Sequence, residues 1–422
     1  MVEAGDTVFG IARAHDISAE SLLAANGLTY PDVLEVGMAL TIPPPETGAP
    51  GPAFKLIPDS ELVFGPAAAL LDVPGFIAGH SGYLAGYTEE IDGELLTADE
   101  IVSRVSRNHS VNPRLLLAVL EYQSGWLTDP APVGTDFPLG LVDAAHAGLY
   151  RQLSWAADAL NRGYYLWRVN GVAAWILLDG SAVSVAPSIN AGTAGLQNLF
   201  AQLSGPVLWE QAVGPLGFIR TYTGLFGDPF ALAIEPLLPA SLTQPKMALP
   251  FERGDTWSLT GGPHGGWDSG SGWAALDFGP PGDTASCLPS GAWVTAVADG
   301  LIVRASNGAV IQDLSNDGYE QTGWVVLYMH IHSGERVHPG TYLFAGQRLG
   351  HASCEGGFSN GTHLHIARRY NGEWIPADGA LPFVMDGWVS GGNGIEYDGF
   401  LARGTQRVEA WDGVNALNQI SR

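Results

Sequence analysis

Near residue 246 the hydrophobic pattern of the chain changes period. Upstream, apolar residues recur at helical spacing, as in the stripe Ile101, Val102, Val105 and the run Leu115–Tyr122. Downstream come short β-rich runs, Trp293–Val297, Leu301–Arg304 and Trp324–Tyr328, parted by Gly turns. Ahead of both lies a small block, residues 1–45, closed by Pro43-Pro44-Pro45, and residues 46–54 read as a Pro/Gly linker. A chain of 422 residues is expected to hold two to four domains, each able to bury a core without disulfide staples. The expected organisation is a multidomain α+β chain. It has a small unit at 1–45, a linker at 46–54, a mostly helical domain at 55–245 and an antiparallel β-rich domain at 246–422.

Charge excludes two classes of partner. Lys plus Arg number 19 and Asp plus Glu 43, so the net charge is −24. Nucleic acid and anionic lipid both call for a basic surface. The longest charge-free stretch, residues 180–209, carries Ser, Asn, Gly and Pro throughout, so no membrane span is expected. No basic segment followed by an apolar one opens the chain, and Met1 stands just before a turn signal. A longer precursor or a trimmed chain is expected. Cys287 and Cys354 are too few for a Cys-rich zinc module, but permit one disulfide in an oxidising compartment.

The first block reads as two short helices and a turn-strand. Gly5-Asp6-Thr7 supplies an N-cap, and a second helix from near Ser18 stops at Asn26-Gly27. Val36–Pro43 reads as a turn and a strand. Gly5-Asp6-Thr7, Leu22–Leu28 and Gly37…Leu40-Thr41-Ile42-Pro43 resemble a LysM module, a small βααβ fold. The resemblance implies binding to N-acetylglucosamine chains through Gly5, Asp6, Thr7, Gly27, Leu28, Thr29 and Pro31. The first strand of such a module is mostly missing, because only Met1–Ala4 precede the turn.

The second block opens on Thr97-Ala98-Asp99-Glu100, a capping-box pattern, and Asn112-Pro113 opens a second helix. Asn112-Pro113, Leu116–Val119, Gln123-Ser124-Gly125-Trp126 and Ser188–Gly192 resemble the lysozyme-like lytic transglycosylase domain. That family places its catalytic Glu where this chain has Gln123. Glycosidic cleavage needs a carboxylic acid to protonate the leaving oxygen, and an amide cannot supply that proton. Glu121 lies two residues earlier, about 200° round the helix. The block is therefore expected to bind glycan or act as a spacer, without chemistry of its own.

The third block holds the residues suited to catalysis. His363-Leu364-His365 on a strand would project both imidazoles from one face. His330 ends the apolar run from Trp324, His264 lies in a Gly-rich stretch expected to be a loop, and Asp277 sits inside the apolar Ala274–Phe278. A buried carboxylate there needs a cation, a metal or strong donors. Several His and one Asp from separate segments suit zinc, although His-x-His pairs also occur as plain strand residues.

Three groups of residues give this block a family resemblance. They are Leu249-Pro250-Phe251…His264…Leu276-Asp277-Phe278 with Tyr328-Met329-His330, Val337-His338-Pro339-Gly340 with Ala345–Gly350, and Gly361–Ile366. Together they resemble the lysostaphin-type zinc metallopeptidases of family M23. Ser271-Gly272, Cys354–Gly357 and Tyr397-Asp398-Gly399 add a likeness to the staphylolysin-like subgroup. The resemblance implies that His264, Asp277 and His365 bind Zn2+ and that His330 and His363 are the catalytic pair. His332 is a competitor for the role of His330, and Trp273 is a candidate for lining a substrate groove. His338 and His351 read as surface turn residues. Cys354 matches a subgroup cysteine whose partner position, near Ala305, is not Cys here, which leaves Cys287 as a possible partner.

The expected function is a secreted, cell-wall-associated zinc endopeptidase that cuts peptidoglycan cross-links, with the first block gripping glycan. A non-enzymatic wall-binding or amidase-activating protein, and residual glycosidase activity in the second block, are the competing readings.

Overall fold

The change of period corresponds to a change of architecture. The computed structural model describes residues 1–422 except 3–7, 9, 10, 13, 14, 16, 18, 29–33, 35, 44–49 and 283. Two units separate, Met1–Glu235 and Pro236–Arg422. Residues 236–245, read in the sequence as part of the helical block, fold with the second. Leu237 O accepts from Asn371 Nδ2 at 3.0 Å, and Gln244 Nε2 donates to Val384 O at 2.6 Å.

In the first unit, α1 (Ala19–Asn26) stops at Gly27, whose φ of +64° suits a glycine C-cap. Asn26 then ties the module together: its amide donates to Thr41 O at 2.8 Å and accepts from Thr41 N at 2.7 Å. Residues 38–43 form no strand, against expectation. Their backbone accepts Val2 N–H at Met38 O, 2.8 Å, and is tied at Thr41 to the Asn26 side chain. The glycan-contact expectations at Gly5, Asp6, Thr7, Thr29 and Pro31 lie outside the described residues. Leu28 is described and donates its N–H to Leu23 O at 2.9 Å.

The helical part follows its caps. Helix α2 (Ala98–His109) carries the Thr97–Glu100 capping box, and α3 (Pro113–Ser124) is capped by Asn112. Helices α4 (Leu149–Arg168) and α5 (Ala191–Leu203) cross at two glycines. A Cβ on Gly163 would lie 2.5 Å from Ala194 O, and one on Gly195 would lie 2.7 Å from Leu160 O. Only glycine permits that approach. Glu121 is engaged within its own turn: Leu127 N donates to it at 2.8 Å and Thr128 Oγ1 at 2.5 Å.

The second unit is β-rich, and its strands are numbered here from its start. They are β1 (Thr256–His264), β2 (Ala275–Gly279), β3 (Trp293–Thr295), β4 (Gly300–Ser306), β5 (Ala309–Asp313), β6 (Trp324–Met329), β7 (Tyr342–Leu343), β8 (Arg348–His351), β9 (Leu364–Tyr370) and β10 (Glu373–Trp374). There follow β11 (Val384–Met385), β12 (Trp388–Gly392), β13 (Gly399–Arg403), β14 (Gln406–Glu409) and β15 (Gln419–Ser421). A nine-stranded sheet runs β7-β4-β5-β6-β9-β2-β1-β15, with β10 added to β9. Strands β3 and β8 pair separately, and β11–β14 form a four-stranded sheet. All the ladders are antiparallel. One face of the large sheet carries the core, with Leu276, Phe278, Val326, Tyr328, Leu364 and Ile366 all at 0 % exposure. The alternate residues of β2 and β9 face the other way, and these include Asp277 and His365.

Two local expectations are corrected. His264 ends strand β1 rather than lying in a loop. The glycines before it allow tight strand pairing, since a Cβ on Gly261 would lie 2.9 Å from the Asp277 carboxylate. His351 is not a surface turn residue: it ends β8 at 9 % exposure, its ring centroid 3.8 Å from that of Trp293. His338 is exposed, as expected.

Candidate metal centre

Four adjacent strands supply the site. In the ladder, His365 of β9 stands opposite Met329 of β6 on one side and Asp277 of β2 on the other. Directly opposed residues project from the same face, so His365 and Asp277 meet. His264 pairs with Ala275 after a register shift in the β1–β2 ladder, which brings its ring over Asp277. His330 follows β6 immediately and His363 precedes β9.

Three ligand-type atoms form a small triangle. His264 Nε2 lies 3.0 Å from His365 Nδ1, and each lies 3.2 Å from Asp277 Oδ1. Tetrahedral coordination at 2.0–2.1 Å sets ligand atoms roughly 3.3–3.4 Å apart, so the triangle matches one face of such a site. The outer nitrogens are already committed. His264 Nδ1–H donates to Gly262 O at 2.7 Å, and His365 Nε2–H donates to Gly266 O at 3.1 Å. A carbonyl can only accept, so in the neutral tautomer both inner nitrogens present lone pairs to Asp277 and to each other. Asp277 Oδ1 is buried and has no hydrogen-bond partner among the described residues. Two imidazole lone pairs and an orphaned carboxylate oxygen facing one point call for a cation between them.

Electrostatics agree. Burial disfavours the charge on Asp277, but His264 and His363 outweigh it and hold the carboxyl well below its usual range. Burial likewise opposes a proton on His264, and Asp277 overrides it and raises the imidazole. The carboxylate thus draws positive charge into the triangle. Burial pushes His365 down.

The other two histidines line the same spot without joining the triangle. His363 Nε2 lies 3.9 Å from Asp277 Oδ2, and its Nδ1–H donates to Gly361 O at 2.8 Å. His330 donates Nδ1–H to Glu355 O at 3.2 Å, and its ring centroid lies 4.4 Å from that of His363. With Nδ1 the donor, the neutral tautomer of each ring presents Nε2 as an acceptor. Burial, with His363 and His365 nearby, pushes His330 down to about 3. His330 has φ +62°, a left-handed conformation uncommon outside glycine, which turns the chain sharply at the end of β6. His332 faces elsewhere, its Nε2 lying 3.5 Å from Glu355 Oε1. Trp273 is half-buried, and its carbonyl accepts from Ala377 N at 2.7 Å.

Sequence reasoning gave no role to Tyr397. Its ring stacks on His264 with centroids 4.2 Å apart, and burial followed by Asp277 pushes its phenol up to about 12. The signal was Tyr397-Asp398-Gly399, quoted only as a family likeness. The carbonyls of Gly262, Gly266, Gly361 and Glu355 were also missed, since backbone acceptors leave no residue-type signature.

Known proteins carry the same parts. Residues 1–43 match the LysM domain, residues 55–240 the LasA N-terminal domain and residues 285–376 peptidase family M23. The last match takes in His330, His363 and His365 but begins after His264 and Asp277, whose placement rests on the geometry above. Protease LasA of Pseudomonas aeruginosa is 29 % identical over 301 residues, covering 67 % of this chain and 68 % of that protein. The beta-lytic metalloendopeptidase of Lysobacter enzymogenes is 26 % identical over 154 residues, 36 % of this chain and 83 % of its own. Among solved structures, the deep-sea M23 metalloprotease pseudoalterin is 25 % identical, covers 43 % of this chain and all of its own, and has a TM-score of 0.34. The chain thus carries a LysM domain, a LasA N-terminal domain and, in its second unit, a metallopeptidase domain of family M23.

Proposed function

We propose that this protein is a secreted, cell-wall-associated endopeptidase that cuts the peptide cross-links of peptidoglycan with a zinc ion. The triangle of His264 Nε2, His365 Nδ1 and Asp277 Oδ1 carries the reading. Two imidazoles and one carboxylate are a zinc-type donor set that leaves a fourth position open. Zinc held there supplies a Lewis acid that polarises the scissile carbonyl and lowers the pKa of a water to about 7.

The chain's own residues do the rest. His264 and His365 are held in the ligand tautomer by their carbonyl partners. One of His330 and His363, its Nδ1–H tied to a backbone carbonyl and its Nε2 turned to the site, accepts the proton of the attacking water. The proton then passes to the leaving amine. The other imidazole, carrying on Nε2 a proton taken up from solvent, donates to the developing oxyanion. The first block grips glycan, which raises the local concentration of cross-links around the peptidase. The helical block acts as a glycan-binding or spacer domain: Gln123 stands where an acid would be needed and Glu121 is engaged by Leu127 and Thr128.

Metal analysis of the purified full chain, run beside turbidity clearing of bacterial cell walls, tests the reading. One zinc per chain and clearing that is lost in His365→Ala are expected. Absence of both zinc and clearing, with His365→Ala behaving as wild type, would overturn it.

A further inference from the structure

The disulfide Cys287–Cys354 joins the two short segments that hold the non-ligand histidines. Around Cys287, the carbonyls of its neighbours Ser286 and Leu288 face the Thr362 hydroxyl at 2.6 and 2.7 Å. Thr362 is buried, its N–H donates to Thr284 O at 2.8 Å, and the next residue is His363. Around Cys354, the other neighbour pair does the same for His330. Ser353 donates its N–H and its hydroxyl to the His330 carbonyl at 2.7 and 3.0 Å, and Glu355 O takes the His330 Nδ1–H at 3.2 Å. Ser353 also bridges His363 directly. Residues 284–292 contain neither helix nor strand, so little regular structure fixes them.

We propose that Cys287 and Cys354 are positioning residues for His330 and His363. The bond pins the irregular 284–292 segment against 353–355, with Cα atoms 5.2 Å apart. Thr362 and Glu355 are thereby held at the distances that aim both imidazoles at the metal triangle. The ligands themselves are fixed by the β1–β2–β9 ladder and by Gly262 and Gly266, so they do not depend on the bond. Loss of the bond therefore separates proton transfer from metal binding. A displacement of about 1 Å in a reacting group costs on the order of a hundredfold in rate. The inference rests on the reading of His330 and His363 as the proton-transfer pair.

The test compares the full-length wild type with the double variant Cys287→Ser, Cys354→Ser, assayed on cross-linked muropeptides well below its unfolding temperature. Metal content and 15N-histidine spectra are recorded on the same samples. Expected are a tenfold to hundredfold fall in kcat, KM within threefold, one metal per chain, and loss of the protected Nδ1–H signals of His330 and His363. A kcat within twofold of wild type, with those signals kept, overturns the inference even if the thermal midpoint falls. Should the double variant not fold, Thr362→Val against Thr362→Ser decides. Rescue of kcat by Ser, which keeps the hydroxyl, is expected, and equal activity of Val and Ser overturns the inference. A metal-loaded wild type that cuts no muropeptide refutes the functional reading instead, and the ring N–H signals still report on the clasp.

Discussion

His264 and Tyr397 lie ring on ring, with centroids 4.2 Å apart and planes 18° apart. The phenol ring is held there by its own backbone: Tyr397 N–H donates to Pro263 O at 3.1 Å, and Gly262 N–H donates to Tyr397 O at 2.8 Å. Together with the Gly262 carbonyl it restricts the imidazole to the orientation that points Nε2 at Asp277. Outer contacts of this kind typically contribute tenfold to a hundredfold in metal affinity. Tyr397→Ala should weaken zinc binding by about that factor, while Tyr397→Phe, which keeps the stacking, should stay near wild type. Competition against a chromophoric chelator measures both, and equal affinity in the Ala variant would show that stacking does not orient His264.

Ligands and proton-transfer groups separate by metal content. Asp277→Ala removes the one carboxylate of the triangle, so the chain should lose both zinc and peptide hydrolysis. His363→Ala leaves His264, Asp277 and His365 in place. It should keep about one zinc per chain while kcat falls by about 10²–10⁴-fold. Zinc retained in Asp277→Ala, or lost in His363→Ala, would exchange the assigned roles.

Stability of the metal-free protein should fall as the solution is acidified below neutrality. His330 is pushed down to about 3 in the folded state, whereas a free imidazole titrates near 6.5. Between those values the unfolded chain binds a proton that the folded chain refuses, so the His330 contribution is full above about 6.5 and drains as pH falls toward 3. His365, pushed down by burial, adds to the same slope. Urea unfolding of the apoprotein from pH 7 to 4 should show it. In His330→Asn the slope should shrink by up to one proton, and an unchanged slope would mean that His330 takes no part.

The pattern of residues revealed the strands better than it revealed what joins them. Trp324–Tyr328 reads as a strand from its unbroken apolar run, and His365 faces Asp277 because both sit at alternate positions of buried strands. His264 was misread because Gly261 and Gly262 signal a loop locally. Their missing side chains serve strand contact instead, a tertiary demand that no local window contains. The same holds for Glu355 and Gly361, which act through carbonyl oxygens. His351 was misplaced for a related reason: its neighbours Gly350 and Ala352 look like a turn, yet the segment pairs with Trp293 some sixty residues earlier in the chain. In the small first block, Asn26 ties the end of α1 to Thr41 through two side-chain bonds, a contact between segments that no local pattern contains.

Glu61 supplies the last test, in the helical unit. It has no exposed surface and accepts from Tyr222 OH at 2.5 Å, Asn112 Nδ2 at 2.8 Å and Arg114 Nη1 at 3.2 Å. Burial raises its pKa even against those donors. A buried acid with a raised pKa resembles a general acid, but here its bonded oxygen carries three structural contacts, two at the start of α3 and one from Tyr222 in the helix Phe218–Phe226. Removing it strands the Arg114 guanidinium, which costs about 3–5 kcal/mol. Glu61→Ala should therefore destabilise the first unit by that amount in urea, with Glu61→Gln intermediate because it keeps one acceptor oxygen. Neither variant should alter the products released from cell walls, and anhydro-muramyl ends should be absent from wild-type digests. Anhydro ends that vanish in Glu61→Gln would instead make Glu61 a catalytic acid and the helical unit a second enzyme.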